Sequence, residues 1–74
     1  MNEDIRNFLL INGFTIIDDN SMENDLCKVT LLTDGDVKLY EVFYKNIKSS
    51  AYSDNENIYW LVGYLTYYGL MDQN

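Results

Sequence analysis

Histidine and proline are missing from this 74-residue chain, cysteine occurs once, and five basic residues stand against twelve acids. Each shortage removes a class of function. Without histidine there is no Ser-His or Cys-His nucleophilic pair, and the commonest protein metal ligand is gone. The lone Cys27 forbids an internal disulfide and suits a reducing cytoplasm. Of the five bases only Lys45 and Lys48 stand close in sequence, too few for the clustered cations that hold phosphates. Direct nucleic-acid binding is therefore disfavoured, and a formal charge of −7 repels anionic membrane as well. Glu3 and Asp4 occupy the place where a signal peptide carries positive charge, so none is expected. The C-terminal apolar run is broken by glycine and tyrosine and is too short to span a bilayer comfortably. Gly13, Gly35, Gly63 and Gly69 are scattered and form no phosphate-cradling loop.

What is present points to one small globular domain. Apolar residues make up 47% of the chain and aromatic ones 15%, enough for a core, although a chain this short buries only about 60% of its unfolded surface. The most strongly patterned stretch is Ser53 to Met71. Ser53 and Glu56 match a capping box, Asp54 adds charge favourable to a helix start, and Gly69 suits the left-handed residue that closes a helix, with Leu70 packing back. At about 100° per residue Ile58, Leu61, Val62 and Leu65 share one face, and Trp60, Tyr64, Tyr67 and Met71 nearly the opposite one with Tyr68 at its edge. Only a stripe through Glu56, Tyr59, Gly63 and Thr66 is left for water, so this helix needs cover on two sides.

Upstream, Glu3 to Asn12 reads as a first helix, with Asn2 as its N-cap and Ile5, Phe8 and Leu9 at helical spacing; Leu10 and Ile11 widen its apolar face before Gly13 ends it. Phe14 to Ile17 is a short strand, Asp18 to Asp25 a polar loop, and Leu26 to Leu32 and Val37 to Tyr44 are strands. Asp34-Gly35 between them marks a two-residue hairpin loop, which sets Leu32 opposite Val37, Thr30 opposite Leu39 and Lys28 opposite Glu41. The other face then holds Cys27, Val29, Leu31, Lys38, Tyr40, Val42 and Tyr44 and is assigned to the core. Lys45 to Tyr52 reads as a connector. The expected fold is α+β: an N-terminal helix, a three-stranded antiparallel β-meander, and a C-terminal helix packed on the sheet over residues 1–74.

No constellation of catalytic residues emerges, and a non-enzymatic role without a cofactor is expected. Asp18-x-Asn20 resembles the start of a calcium loop, but Met22 and Glu23 stand where a ligand and the sharp-turn glycine belong. Thr33 to Asp36 is too short to wrap an ion alone, so no metal is expected. Carboxylate pairs for acid–base work need a cleft, for which so small a domain has little room. The acids instead define a surface. Asp18, Asp19, Glu23 and Asp25 gather in the first β connection, and Asp34 and Asp36 lie about 24 Å away beyond a seven-residue strand. Solvated turns are the ordinary reading of such residues. The sharper one is an acidic surface that enters a basic groove on a protein partner and imitates a nucleic-acid backbone, with Trp60, Tyr64 and Tyr67 as the desolvated anchor. In size, charge and composition the chain resembles phage-encoded inhibitors of host nucleic-acid enzymes, many anti-CRISPR proteins among them. Nine asparagines, seven tyrosines and no proline also fit an AT-rich coding source such as a phage or a low-GC bacterium. That resemblance implies an inhibitor working in the host cytoplasm. The alternative is a structural or assembly protein whose aromatic helix packs antiparallel across a two-fold axis to form a homo-oligomer, the acids serving solubility.

Overall fold

Two helices and five strands make up the fold in the computed structural model, which describes residues 1–52 and 57–71. Helix α1 runs Glu3–Ile11 and starts on Asn2, whose side-chain oxygen accepts from the Asp4 N–H at 2.7 Å. Gly13, at φ 90°, turns the chain out of it: the Gly13 N–H donates to Leu10 and the Phe14 N–H to Leu9, the paired bonds of a Schellman closure. Helix α2, Asn57–Tyr67, ends by the same device. Gly69 sits at φ 64°, its N–H donates to Thr66, and the Leu70 N–H donates to Leu65 at 2.8 Å. In both cases the residue after glycine, Phe14 or Leu70, drops into the core. The capping box expected at Ser53 and Glu56 lies outside the described residues.

The sheet is antiparallel with its strands in chain order: β1 (Thr15–Asp18), β2 (Ser21–Glu23), β3 (Cys27–Asp34), β4 (Val37–Tyr44) and β5 (Ile47–Tyr52). Five strands replace the expected three. Residues 18–25 are not a loop but a tight turn, a three-residue strand and a second turn; Met22 is the one apolar residue of β2, too weak a signal to show as alternation. Residues 45–52 are not a connector either. Lys45 and Asn46, at φ 51° and 65°, form a two-residue hairpin loop with both central positions left-handed, which returns the chain as β5.

The β3–β4 hairpin differs from expectation in register but not in parity. Asp34 pairs with Val37, so the loop is Gly35-Asp36, with the left-handed φ of 61° on the glycine. Leu32 therefore faces Leu39, Thr30 faces Glu41, and Lys28 faces Phe43 rather than Glu41. A shift of two residues leaves every side chain on its face. Cys27, Val29, Tyr40 and Val42 are buried, Leu31 and Tyr44 are half-buried, and Lys38 reaches solvent.

Both helices lie on that face. Ile5 and Leu9 of α1 and Leu61 and Leu65 of α2 close over Met22, Val29, Tyr40 and Val42, with Phe8, Trp60, Tyr64 and Met71 packed at the margin. Leu10 and Ile11 do not widen the buried stripe; both are exposed, since a nine-residue helix laid on a sheet buries one stripe only. The opposite sheet face leaves Leu32, Val37 and Phe43 exposed. No helix among the described residues is long and apolar enough to cross a membrane.

Candidate functional site

The helical period of α2 places Leu61 and Leu65 against the sheet, which turns Trp60 and Tyr64 sideways over its β5 margin. There they join a chain of rings. Trp60 and Tyr64 have centroids 5.4 Å apart, Tyr64 and Tyr68 4.7 Å, and Tyr68 and Tyr44 5.9 Å. All three contacts are tilted, within the separations that favour ring quadrupoles. The Lys45 ammonium caps the row 5.2 Å from the Tyr44 centroid, and the Tyr64 hydroxyl shares a 3.1 Å hydrogen bond with Ser49 Oγ on β5. Tyr67 stands off the row, edge-on to Tyr68 at 4.9 Å and 82% exposed. Tyr59 is nearly as open. Cover for the aromatic side comes from β4 and β5, and it is partial: the row is half-buried and Tyr67 meets water.

Trp60, Tyr64 and Tyr67 are thus brought into one surface, and Tyr44 and Tyr68 belong to it as well. Tyr44 was missed because it reads from sequence only as a core-face strand residue. Its place in the row is set by Tyr68, just past α2, which packs on it across the fold.

The carboxylates do not converge on that surface. Because β2 runs back along β3, residues 18–25 no longer form one acidic loop. The Leu31 N–H donates to Asn20 at 2.7 Å, which sets the Asp18–Asp19 turn towards the Asp34–Asp36 end of the sheet, while Glu23 and Asp25 lie at the other end. Asp18 and Asp19 also sit at the β1 edge, about 19 Å across four strand spacings from β5. Their turn is firmly held. Asp18 Oδ1 accepts from the Asn20 N–H at 2.8 Å, and the Asp19 carbonyl accepts from Arg6 Nη2 at 2.8 Å and from the Met1 amino group at 3.0 Å. Asp18, Asp19, Glu23, Asp25 and Asp36 all have exposed side chains, and Asp34 ends β3.

One polar residue that sequence reasoning passed over organises the far end. Asn24 Oδ1 accepts from the N–H groups of Leu26 and Cys27 at 2.8 and 2.9 Å, closing the β2–β3 turn, while Asn24 Nδ2 donates to the Leu70 carbonyl at 2.5 Å. It ties the end of α2 to the sheet. Beside it opens a groove of about 520 Å³ lined by Gly13, Thr15, Glu23, Asp25, Leu26 and Met71, with both acids in solvent. Cys27 is buried, and burial pushes its thiol up to about 11, away from the thiolate that nucleophilic or metal chemistry needs. Among the described residues no three Cys, Asp or Glu side chains gather as metal ligands. Compared with protein families, curated proteins and solved structures, the chain matches no family model, no curated protein and no solved structure.

Proposed function

We propose that this chain is a small, non-catalytic protein-binding domain that inhibits or modulates a partner with a basic surface, one built to handle nucleic acid. The observation that carries the reading is the half-open aromatic row on α2, with Tyr67 82% exposed, on a body of net charge −7. The rings supply rigid contact area that loses water on docking. The carboxylates at both ends of the sheet steer approach and set orientation, since complementary charge acts chiefly on the rate of encounter. Exposed acids on tightly bonded turns, as at Asp18–Asp19, present fixed negative charge much as a phosphate backbone does. An inhibitor of the anti-CRISPR kind, acting in a host cytoplasm on a nucleic-acid enzyme, fits this description.

The test begins with partners retained from a bacterial lysate by the tagged protein and released by a salt gradient. With the purified partner, the combined variant D18K/D19K/D34K/D36K should associate about tenfold more slowly at low salt and lose most of its salt dependence. Association unchanged by those four reversals refutes the acidic-surface role.

A second reading, homo-oligomerisation, is favoured by the exposure of Tyr59 and Tyr67 on the outer side of α2. Y64E with Y67E should then yield a folded monomer.

A further inference from the structure

The two edges of the sheet are finished differently. β1 is four residues long and its register breaks between Ile16 and Asp18, an irregularity that turns an edge away from pairing. β5 has no such break: all six of its residues pair in unbroken register with β4, from Tyr44↔Ile47 to Leu39↔Tyr52. Because Lys45-Asn46 is a two-residue loop, the closing pair Tyr44–Ile47 exchanges both hydrogen bonds, and the alternation continues through Ser49 and Ala51. The N–H and C=O groups of Lys48, Ser50 and Tyr52 therefore point outward from the sheet. Among the described residues no backbone group bonds to them from that side.

We infer that the β5 edge is the docking site for a second copy of this chain, paired antiparallel across a two-fold axis at Ser50. In that register Ser50 faces Ser50, Lys48 of each copy faces Tyr52 of the other, and about six backbone hydrogen bonds form across the seam. Charge complementarity selects the occupant. Lys45 and Lys48 stand at one end of the β4–β5 hairpin, and the Asp36 turn lies beyond its other end. Antiparallel pairing brings the Lys45 loop of one copy level with the Asp36 turn of the other, about three strand spacings or 14 Å away between backbones, and opposes no two lysines. The seam also lies beneath α2, which is tied to β5 through Tyr64 and Ser49. Trp60 and Tyr64 then turn towards the axis, while Tyr67 stays on the outer side. This rests on the self-assembly reading but moves the contact from Tyr59 and Tyr67 to the β5 edge, and it leaves the Asp18–Asp19 turn, Glu23 and Asp25 free.

The test uses the full chain. Wild type at millimolar concentration should scatter light as twice the 8.7 kDa monomer. S50C should cross-link rapidly under mild oxidation, because facing residues of a bonded pair have Cα atoms about 5.5 Å apart, within disulfide reach. K48C should not, since its two copies stand about 14 Å apart along the strands. S50P removes an outward N–H that β4 does not use, so the fold should persist while the dimer dissociation constant rises at least about 30-fold, the loss of two bonds across the axis. A monomer at every concentration overturns both the inference and the self-assembly reading. A dimer that neither cross-links through S50C nor weakens with S50P keeps self-assembly and overturns the β5 surface.

Discussion

Replacing Asn24 with alanine should cost this small domain much of its stability, and the structure says how the loss divides. The side chain makes three hydrogen bonds: two accepted from the Leu26 and Cys27 N–H groups and one donated to the Leu70 carbonyl. At about 1 kcal/mol net for each, N24A loses about 3 kcal/mol. In a domain of this length that lowers the midpoint of thermal unfolding by roughly 12–24 °C. Asn24→Asp separates the roles. The carboxylate still accepts both turn N–H groups but places an oxygen against the Leu70 carbonyl, so only the tether to α2 is lost and the cost falls to about 1–2 kcal/mol. Urea unfolding followed by fluorescence of Trp60, the one tryptophan, measures both variants. An N24A midpoint indistinguishable from wild type refutes the reasoning. An N24D loss equal to that of N24A refutes the claim that the turn bonds contribute.

Two further outcomes follow from single groups. The Cys27 thiol is raised from 9.0 to about 11 by burial, so above pH 9 the unfolded chain gives up this proton before the folded one, and stability falls as pH rises from 9 to 11. The loss amounts to about 2–3 kcal/mol, and C27A should show a correspondingly shallower decline in urea midpoints over that window; parallel profiles refute it. Y64F removes the hydroxyl bonded to Ser49 and should cost about 1 kcal/mol in the same assay while leaving the ring row in place.

Much of the architecture was legible wherever a local steric rule leaves one solution. Gly13 and Gly69 end the helices because only glycine enters the left-handed region without strain, and Asn2 caps α1 because its short side chain reaches the Asp4 N–H. The buried face of the β3–β4 hairpin was legible by parity, although Thr33-Asp34-Gly35-Asp36 allows two loop placements one residue apart, whose cross-strand pairings differ by two. β2 and β5 were not legible. Their pairing is decided by neighbours: Met22 becomes a strand residue because Val29 lies beside it, and Ser49 because Val42 does. The candidate surface divides likewise. The helical period announced Trp60 and Tyr64 as one face, whereas the return of β2 along β3 split the acids between two ends of the sheet, which no spacing in the chain foretold.

The strand order has a consequence for how the molecule assembles. Every strand pairs with its neighbour in the chain, so the sheet can grow by closing short hairpins, each a matter of microseconds, without a long loop to order first. The Asn24–Leu70 bond is of another kind, joining residues 46 apart in sequence. Closing so long a loop carries an entropy cost that the hairpins avoid, which sets the docking of α2 apart from the growth of the sheet. Trp60 and Tyr64, carried on that helix, are joined to Tyr44 of the sheet through Tyr68 only when α2 is docked, so the aromatic row is assembled by a long-range contact and not by any one hairpin.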